Sequence, residues 1–425
     1  SKNLKRMSNP ILALIPSGYK AQKVYSVLPS DGSGDFTFER NGKGTRVNKD
    51  GLIETIVTSV DDLARLDWLN SNCPSLLIEP LRTNRQVRSE ELDHPSFIKV
   101  NTTVTANQTT APTGELTADK LSRTSTAANY VSGLSSKSAS SQLDAVSSVF
   151  VKQGQGDFIA FRAQGSYPNR ADAIFQFSTE TLTTSVAGSN FSVTSSQVQD
   201  YGNGWYRLSI VYNTDTAATL ASLLSPRATS GQIDATDTST TSFAYVWGVQ
   251  FEEGGFLSSY IETGSAATTR LADVCGNAGN ADLFDSNEGA MFVDIQKSFK
   301  DSSFGRISIS DESSANRVVI GKENNNTQFR MFVAHTNGTI DAQKYTDVNF
   351  DVRNKFIITW KLNDFKFYQN GSLIHSDTSG SIPIGLSKFA FNENNLGSQD
   401  FLGKINGVRY YNKVLTQAEA IKLTT

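Results

Sequence analysis

The chain has only two cysteines, three histidines and four tryptophans in 425 residues, and each scarcity removes a class of protein. Cys73 and Cys275 lie in different segments and supply neither a zinc knuckle nor a disulfide framework; two free, partly buried thiols are expected. His94, His335 and His375 stand in no nucleophile, metalloprotease or deaminase spacing. Charged residues make up 19% of the chain, and 39 basic against 42 acidic side chains leave a net charge of −3. Such a balance lacks the positive field that neutralises phosphates or holds an anionic bilayer, so neither nucleic acid nor a membrane is an expected partner. No apolar run approaches the roughly 20 residues of a spanning helix, and a soluble protein is expected. The opening SKNLKRMSNPILALIPSGYK is basic, but its apolar stretch Ile11 to Ile15 stops at Pro16, so it reads as mature sequence rather than a leader.

What the chain does have is Ser, Thr, Asn and Gly punctuating short apolar segments. Its length suggests two to four domains at about 100 to 200 residues each. AVSSVFVKQG, FIAFRAQG, AIFQFST, WYRLSIVYNT and FAYVWGVQFEEG alternate or run apolar between turn residues. So do AMFVDIQKSF, GRISIS, RVVIGKE, QFRMFVAH, KFIITWKL, DFKFYQNG, SLIHSD and KINGVRYYN, with Asn337-Gly338 and Asn370-Gly371 as hairpin turns. The intervening stretches are too short for crossover helices, which favours antiparallel sandwiches over a parallel sheet. The expected fold is all-β: an N-terminal β-rich attachment region over 1–96, then two antiparallel β-sandwich (jelly-roll) domains over 97–276 and 277–425. Within 1–96, Phe36 and Phe38 alternate before a hairpin turn near Asn41 and Gly42, SLLIEPLRTN is a strand stopped by Pro80, and a short helix is expected near Val60 to Asn70. At the other end, Thr416 and Glu419 have the spacing of a capping box, with Leu415, Ala418 and Ile421 or Leu423 available to dock the helix.

Three passages carry resemblances. FTFERNGKGTRVNKDGLIETI, SLLIEPLRTN and the Ser89-Glu90 pair resemble a segment near the N-termini of phage structural and tail proteins, although RQVRSE stands where those proteins more often have a Leu-rich run. GNGWYRLS and FAYVWGVQFEEGGFLSSYIETGSAATTRLADV resemble the closing strands of carbohydrate-binding-module-like jelly rolls in the same phage proteins. KFIITWKLNDFKFYQNGSLIHS and FLGKINGVRYYNKVLTQAEAIKL are similar to the concanavalin A-like, laminin-G-like family, matching it at Gly403, Ile405, Val408, Arg409, Tyr411, Asn412, Leu415 and Thr416. That last likeness is specific for fold and much less so for ligand.

Catalysis has no visible apparatus. Retaining glycosidases of the laminin-G-like architecture hold two carboxylates about 5 Å apart, and no Glu-x-Asp-x-x-Glu strand occurs. Glu252 and Glu253 are adjacent and face opposite sides of a strand. Trp205 and Trp247 are large enough to anchor a sandwich core, which is the reading adopted for them. No cofactor is expected. Calcium is the one metal the pattern allows, through Asp282, Asp285, Glu323 to Asn326 or Asn392 to Asn395, but solvated turns explain these residues at least as well and no ligands are assigned. Tyr167-Pro168-Asn169-Arg170 combines an aromatic face with planar hydrogen-bonding groups, as sugar contact requires; the Asn392 to Asp400 loop has the same polar groups without the aromatic. An ordinary loop accounts for either.

The resemblances imply a non-enzymatic bacteriophage virion protein, such as a tail fibre, head fibre, spike or appendage. It would be made in the bacterial cytoplasm, attach to other virion proteins through its N-terminal region, and bind host-surface carbohydrate. Such proteins are commonly trimers, in which weak sugar contacts multiply into avidity. The alternative is a capsid or tail decoration protein whose sandwiches make only structural protein contacts.

Overall fold

A computed structural model describes residues 7–56, 63–300 and 303–425. The fold is all-β, with a single helix, at the C-terminal end, among the described residues. The first sandwich packs two six-stranded antiparallel sheets face to face. One runs in the order Ile98–Val100, Tyr130–Ser136, Thr219–Arg227, Phe158–Gln164, Arg170–Gln176, Thr181–Ala187. The other runs Thr102–Thr109, Ala118–Arg123, Phe243–Glu253, Asp144–Gln155, Trp205–Asn213, Ser192–Asp200. Val149, Val151, Ile159, Phe161, Phe175, Leu208, Ile210 and Val246 meet between them, every second residue of their strands, as a pleated sheet with one buried face demands.

Trp205 and Trp247 are buried, at 2% and 0% exposure, but they lie outside this core. With Phe150 and Tyr260 they face away from it and pack on Val47 and Ile53 of the N-terminal region. A bulge sets this arrangement. The pairing of Asp144–Gln155 with Phe243–Glu253 shifts between Ser148 and Phe150, opposite Gly248 with φ of 62°. The extra residue reverses the alternation, so that Val249 and Phe251 turn inward while Trp247, Gln250 and Glu252 turn outward.

The second sandwich departs from the expected division of the chain. Its larger sheet runs Ser372–Asp377, Asp364–Gln369, Asn354–Lys361, Glu288–Ser298, Gly403–Tyr411, then continues into Ser75–Ile78 and Arg65–Asp67, with Leu12–Leu14 also on Gly403–Tyr411. Its partner sheet runs Thr339–Asp347, Gln328–His335, Arg317–Lys322, Gly305–Ser310, Lys388–Ala390. The described residues of 1–96 are therefore not a structurally separate region. Leu12, Leu14, Phe36, Phe38, Leu66, Leu76 and Ile78 share a core with Met291, Phe356, Trp360 and Tyr410. The expected boundary at 276/277 also falls among paired strands: Thr268–Arg270 joins Arg82–Asn84, and Val274–Gly276 joins Phe36–Glu39. The first sandwich ends its last strand at Glu253. Residues 256–276 are return chain that laces N-terminal strands to the molecule.

Two local expectations fail for identifiable reasons. No hairpin turns at Asn41 and Gly42, because Phe36–Glu39 is captured by Lys23–Val24 and Val274–Gly276. The hairpin forms one step later, between Gly44–Val47 and Ile53–Ile56, where Asn48 Oδ1 accepts from Asp50 N and Leu52 N and Gly51 takes φ of 80°. Of the helix expected near 60–70, residues 60–62 lie outside the described residues, and Arg65–Asp67 is a strand whose three side chains are all buried. Pro80 does follow a strand, Ser75–Ile78, and both Asn-Gly hairpin turns form, with all four residues at positive φ.

The helix Gln417–Thr424 carries the anticipated capping box between Thr416 and Glu419. It docks through Leu415, Ala420, Ile421 and Leu423, while Ala418 faces solvent. Glu419 also accepts from Ser8 N and Oγ at 2.8 and 2.7 Å, closing the N-terminus onto the C-terminal helix. Burial would raise this carboxyl, but the bonds from Ser8 and Thr416 outweigh it and hold it down at about 2.

Candidate functional site

The two passages that resemble phage proteins meet in space, at a buried charge network. Asp273 receives Arg40 Nη1 at 3.1 Å, the Glu79 backbone N–H at 2.8 Å and a close Arg65 pair. Glu79 receives Arg65 at 2.5 Å, Arg270 at 3.0 Å and the Ser259 N–H and hydroxyl, both at 2.7 Å. All five charged residues are 0–1% exposed. Burial by itself would lift the Glu79 carboxyl, yet Arg270 and Arg65 hold it well below the usual carboxylate range. These charges are satisfied by one another. The network is a clasp that fixes the return chain against the N-terminal strands.

Glu252 and Glu253 part as expected. Glu252 is fully buried against Ser258 and Gln250, whereas Glu253 pairs with Arg85 at 3.3 Å. His94 bonds Ser96, His335 pairs with Asp341, and His375 lies against the Phe367 ring. The calcium candidates are engaged in turns. Asn280 Oδ1 accepts from Asp282 N, Asp285 Oδ1 from Asn287, Asn325 Oδ1 from Thr327 N and Gln328 N, and Glu323 pairs with Arg306 at 2.8 Å. The Asn392 to Asp400 loop folds back on itself and its neighbours, with Asn392 Oδ1 taking Asn395 N and Asn395 Oδ1 taking Asn277 N. Among the described residues no three His, Cys, Asp or Glu side chains gather into a metal-holding group. Cys73 is exposed and Cys275 buried, both free thiols.

The Tyr167 loop is different. It turns between Phe158–Gln164 and Arg170–Gln176, and Asp215 pins it by accepting from Ser166 N at 2.8 Å and Asn169 Nδ2 at 3.2 Å. Tyr167 is 70% exposed, with the Arg170 guanidinium 5.3 Å from its ring centroid. One ring face is braced by a cation and the other is open. On the face of the same sheet turned away from the sandwich core, buried beneath the loop that carries Ile233 and Asp234, Arg162 lies directly across from Asp172. Its Nε donates to Asp172 at 2.6 Å, and its two terminal nitrogens fork onto Asp234 at 3.1 and 2.7 Å. Arg170 completes the array by donating to Asp172 at 3.0 Å. The Asp234 side chain is half exposed, and its carboxyl is lowered chiefly by the hydrogen bond from Arg162. The exposed ring can stack on one face of a sugar and the half-exposed Asp234 carboxylate can accept from its hydroxyls, while the buried Arg162 and Asp172 hold Asp234 and Arg170 in place.

Sequence reasoning found Tyr167 and Arg170 but missed Arg162, Asp172 and Asp234. A signal existed for two of these, since Arg162 and Asp172 each lie five residues from Tyr167 and must pair if that loop is a hairpin. Asp234 comes from a Ser/Thr/Asp-rich loop with no periodicity to place it.

One buried acid has a measurable consequence. Glu90 accepts from Tyr260 Oη at 2.9 Å behind Trp247, and burial raises its carboxyl to about 7. The unfolded chain releases this proton near pH 4.3. The penalty is therefore absent below that pH, grows through neutrality, and is complete above pH 7. Asp119, raised by burial to about 6, acts in the same sense. Between pH 5 and 8 the melting temperature of Glu90→Gln should fall less steeply than that of the parent, and at pH 8 the variant should melt higher. Parallel curves would place Glu90 in solvent.

Comparison with known proteins gives the following. The chain is 34% identical over 93 residues to a beta-glucanase of Bacillus amyloliquefaciens, a stretch covering 21% of this chain and 37% of that protein. It is 33% identical over 93 residues to the beta-glucanase of Bacillus subtilis, again spanning 37% of the relative. Among solved structures, the Ruminococcus gnavus IT-sialidase CBM40 bound to alpha2,3 sialyllactose superposes with a TM-score of 0.30 at 16% identity, covering 35% of this chain and 94% of that one. Residues 295–420, the greater part of the second sandwich, match the family model of the concanavalin A-like lectin/glucanases superfamily.

Proposed function

We propose that the protein is a non-catalytic, glycan-binding surface protein of a bacteriophage particle, and that it contacts sugar through the exposed Tyr167 loop of its first sandwich. The observation that carries this reading is the Tyr167 surface: an exposed aromatic ring on a loop pinned by Asp215, beside the half-exposed Asp234 carboxylate that the buried Arg162 holds in place. The lectin/glucanase match over residues 295–420 supports carbohydrate as the ligand class. Binding rather than hydrolysis is favoured because Glu252 and Glu253, the adjacent acids of the last strand of the first sandwich, are divided between opposite faces and each is held in its own contacts. The phage setting is supported by the resemblances at residues 35–91 and 202–274.

Attachment to the particle cannot use the N-terminal strands as a free arm, since they are built into the molecule's own sheets. Any virion contact uses the outer surface of these strands or the second sandwich. A trimer remains the assembly this reading favours. Labelling the chain in intact particles tests the setting. Signal at a tail or spike tip is expected, and uniform coverage of capsid hexamers would replace the reading with a decoration role.

A further inference from the structure

The seam between the N-terminal region and the first sandwich holds an open groove of about 500 Å³, a size that suits one or two sugar rings. The hairpin tip, the turn after Arg65–Asp67 and the turn before Trp205 form its walls. Trp68 and Tyr201 supply half-buried rings, and Asn48, Asn70 and Asn72 supply amides. Leu69 and Tyr201 are shared with a second, smaller cavity of about 70 Å³ at the junction of the two sandwiches. That volume holds a couple of waters or one carboxylate.

The charges around the smaller cavity do not balance. Its lining includes Arg207, Lys297 and Lys404 against Asp67 and Glu79. Lys404 is paired with Asp67, and Glu79 is already taken by Arg65 and Arg270. Arg207 is 1% exposed and donates to the Ser258 carbonyl and Ser148 hydroxyl, but its Nε has no acceptor and no carboxylate lies against it among the described residues. Lys297 makes no ion pair or hydrogen bond among the described residues. The buried Arg207 and the half-buried Lys297, on which Asp351 is the acting carboxylate, thus face a cavity whose own two carboxylates are already paired, an arrangement that favours an incoming anion. Asp50 and Asp200 line only the outer groove, where Asp200 already takes the Gly202 N–H at 2.7 Å. They suit sugar hydroxyls, and they leave the inner cavity as the place for negative charge.

We infer that this seam binds an anionic saccharide, its ring against Trp68 and Tyr201 and its carboxylate directed to Lys297 and Arg207. The inference rests on the glycan reading above but uses none of the residues around Tyr167. Burial also lowers the Lys297 ammonium, so an incoming carboxylate would restore its proton affinity.

The test titrates the full chain with tetragalacturonate, with neutral cellotetraose and with sodium sulfate at matched ionic strength, following heat and tryptophan fluorescence. Tetragalacturonate should bind, cellotetraose should bind at least about tenfold more weakly, and Lys297→Met should reduce tetragalacturonate affinity by about tenfold while preserving the melting temperature within a few degrees. Trp68→Phe should lose most of the fluorescence response and keep the heat. Equal binding of the neutral sugar, a sulfate response that matches tetragalacturonate, unaltered affinity in Lys297→Met, or no response to any probe would each overturn the inference. A failure here together with intact Tyr167-dependent glycan binding would leave the proposed function standing.

Discussion

Asp273→Ala should cost about 3–5 kcal/mol, the penalty for removing one partner of a buried ion network, and should be the most damaging polar substitution in the chain. Asp273 bridges Arg40 and Arg65. Without it both guanidinium groups remain in a space that excludes water, and the Glu79 backbone N–H loses its acceptor. Because the pairs are enclosed, salt should neither mimic nor mask the loss. Urea denaturation reads the effect as a fall in midpoint with an unchanged slope. A cost under about 1 kcal/mol, the range of surface pairs, would mean that the network is hydrated and does not clasp the molecule.

The second large effect concerns fragments. Residues 277–425, which sequence alone marks as a domain, should not fold by themselves. Cutting there removes Leu12, Leu14, Val24, Phe36, Phe38, Leu66, Leu76, Ile78 and Cys275 from the larger core. At about 1.5–3 kcal/mol for each large apolar side chain, the loss matches or exceeds the roughly 5–15 kcal/mol that stabilises a typical domain. It also bares the edge of Gly403–Tyr411, where Leu12–Leu14 and Ser75–Ile78 pair, and a long unpaired edge promotes aggregation. A fragment of residues 92–256 keeps the first sandwich's own core and should melt cooperatively. Trp205 and Trp247, stripped of Val47 and Ile53, should then emit at longer wavelength than in the full chain. A soluble, cooperatively melting 277–425 fragment would contradict the interlocked architecture.

These outcomes mark where the sequence was legible. Strand identity was, because alternation and turn residues are local: the strands from Asp144–Gln155 to Gly403–Tyr411 coincide with apolar segments visible in the chain, and Thr416 with Glu419 announced the helix. Polar strands were harder to see. Thr181–Ala187 and Ser192–Asp200 are edge strands with little buried surface and no hydrophobic period. Partnership between distant segments was not legible at all. Nothing local in Ser75–Ile78 says that it extends the sheet of Gly403–Tyr411, and nothing local in Thr268–Arg270 points to Arg82–Asn84. The charged residues next to these strands were the unused clue. Arg65 and Arg270 lie within short strands and Glu79 and Asp273 directly beside others, where an unpaired charge could not be buried and a mutual set could.

The candidate site shows the same split. Tyr167 was conspicuous because an aromatic beside Pro, Asn and Arg in a loop is unusual, while the array that supports it needed hairpin register and a return loop to come together. The glycan-binding claim therefore turns on one surface. A glycan array probed with the intact chain and with Tyr167→Ala at equal concentration tests it most directly. The parent chain should mark a defined set of glycans, and Tyr167→Ala should lose at least about tenfold of that signal without a change in melting temperature, as expected when a single exposed ring carries the contact. An empty array for the parent chain, or the same pattern from Tyr167→Ala, would contradict the account.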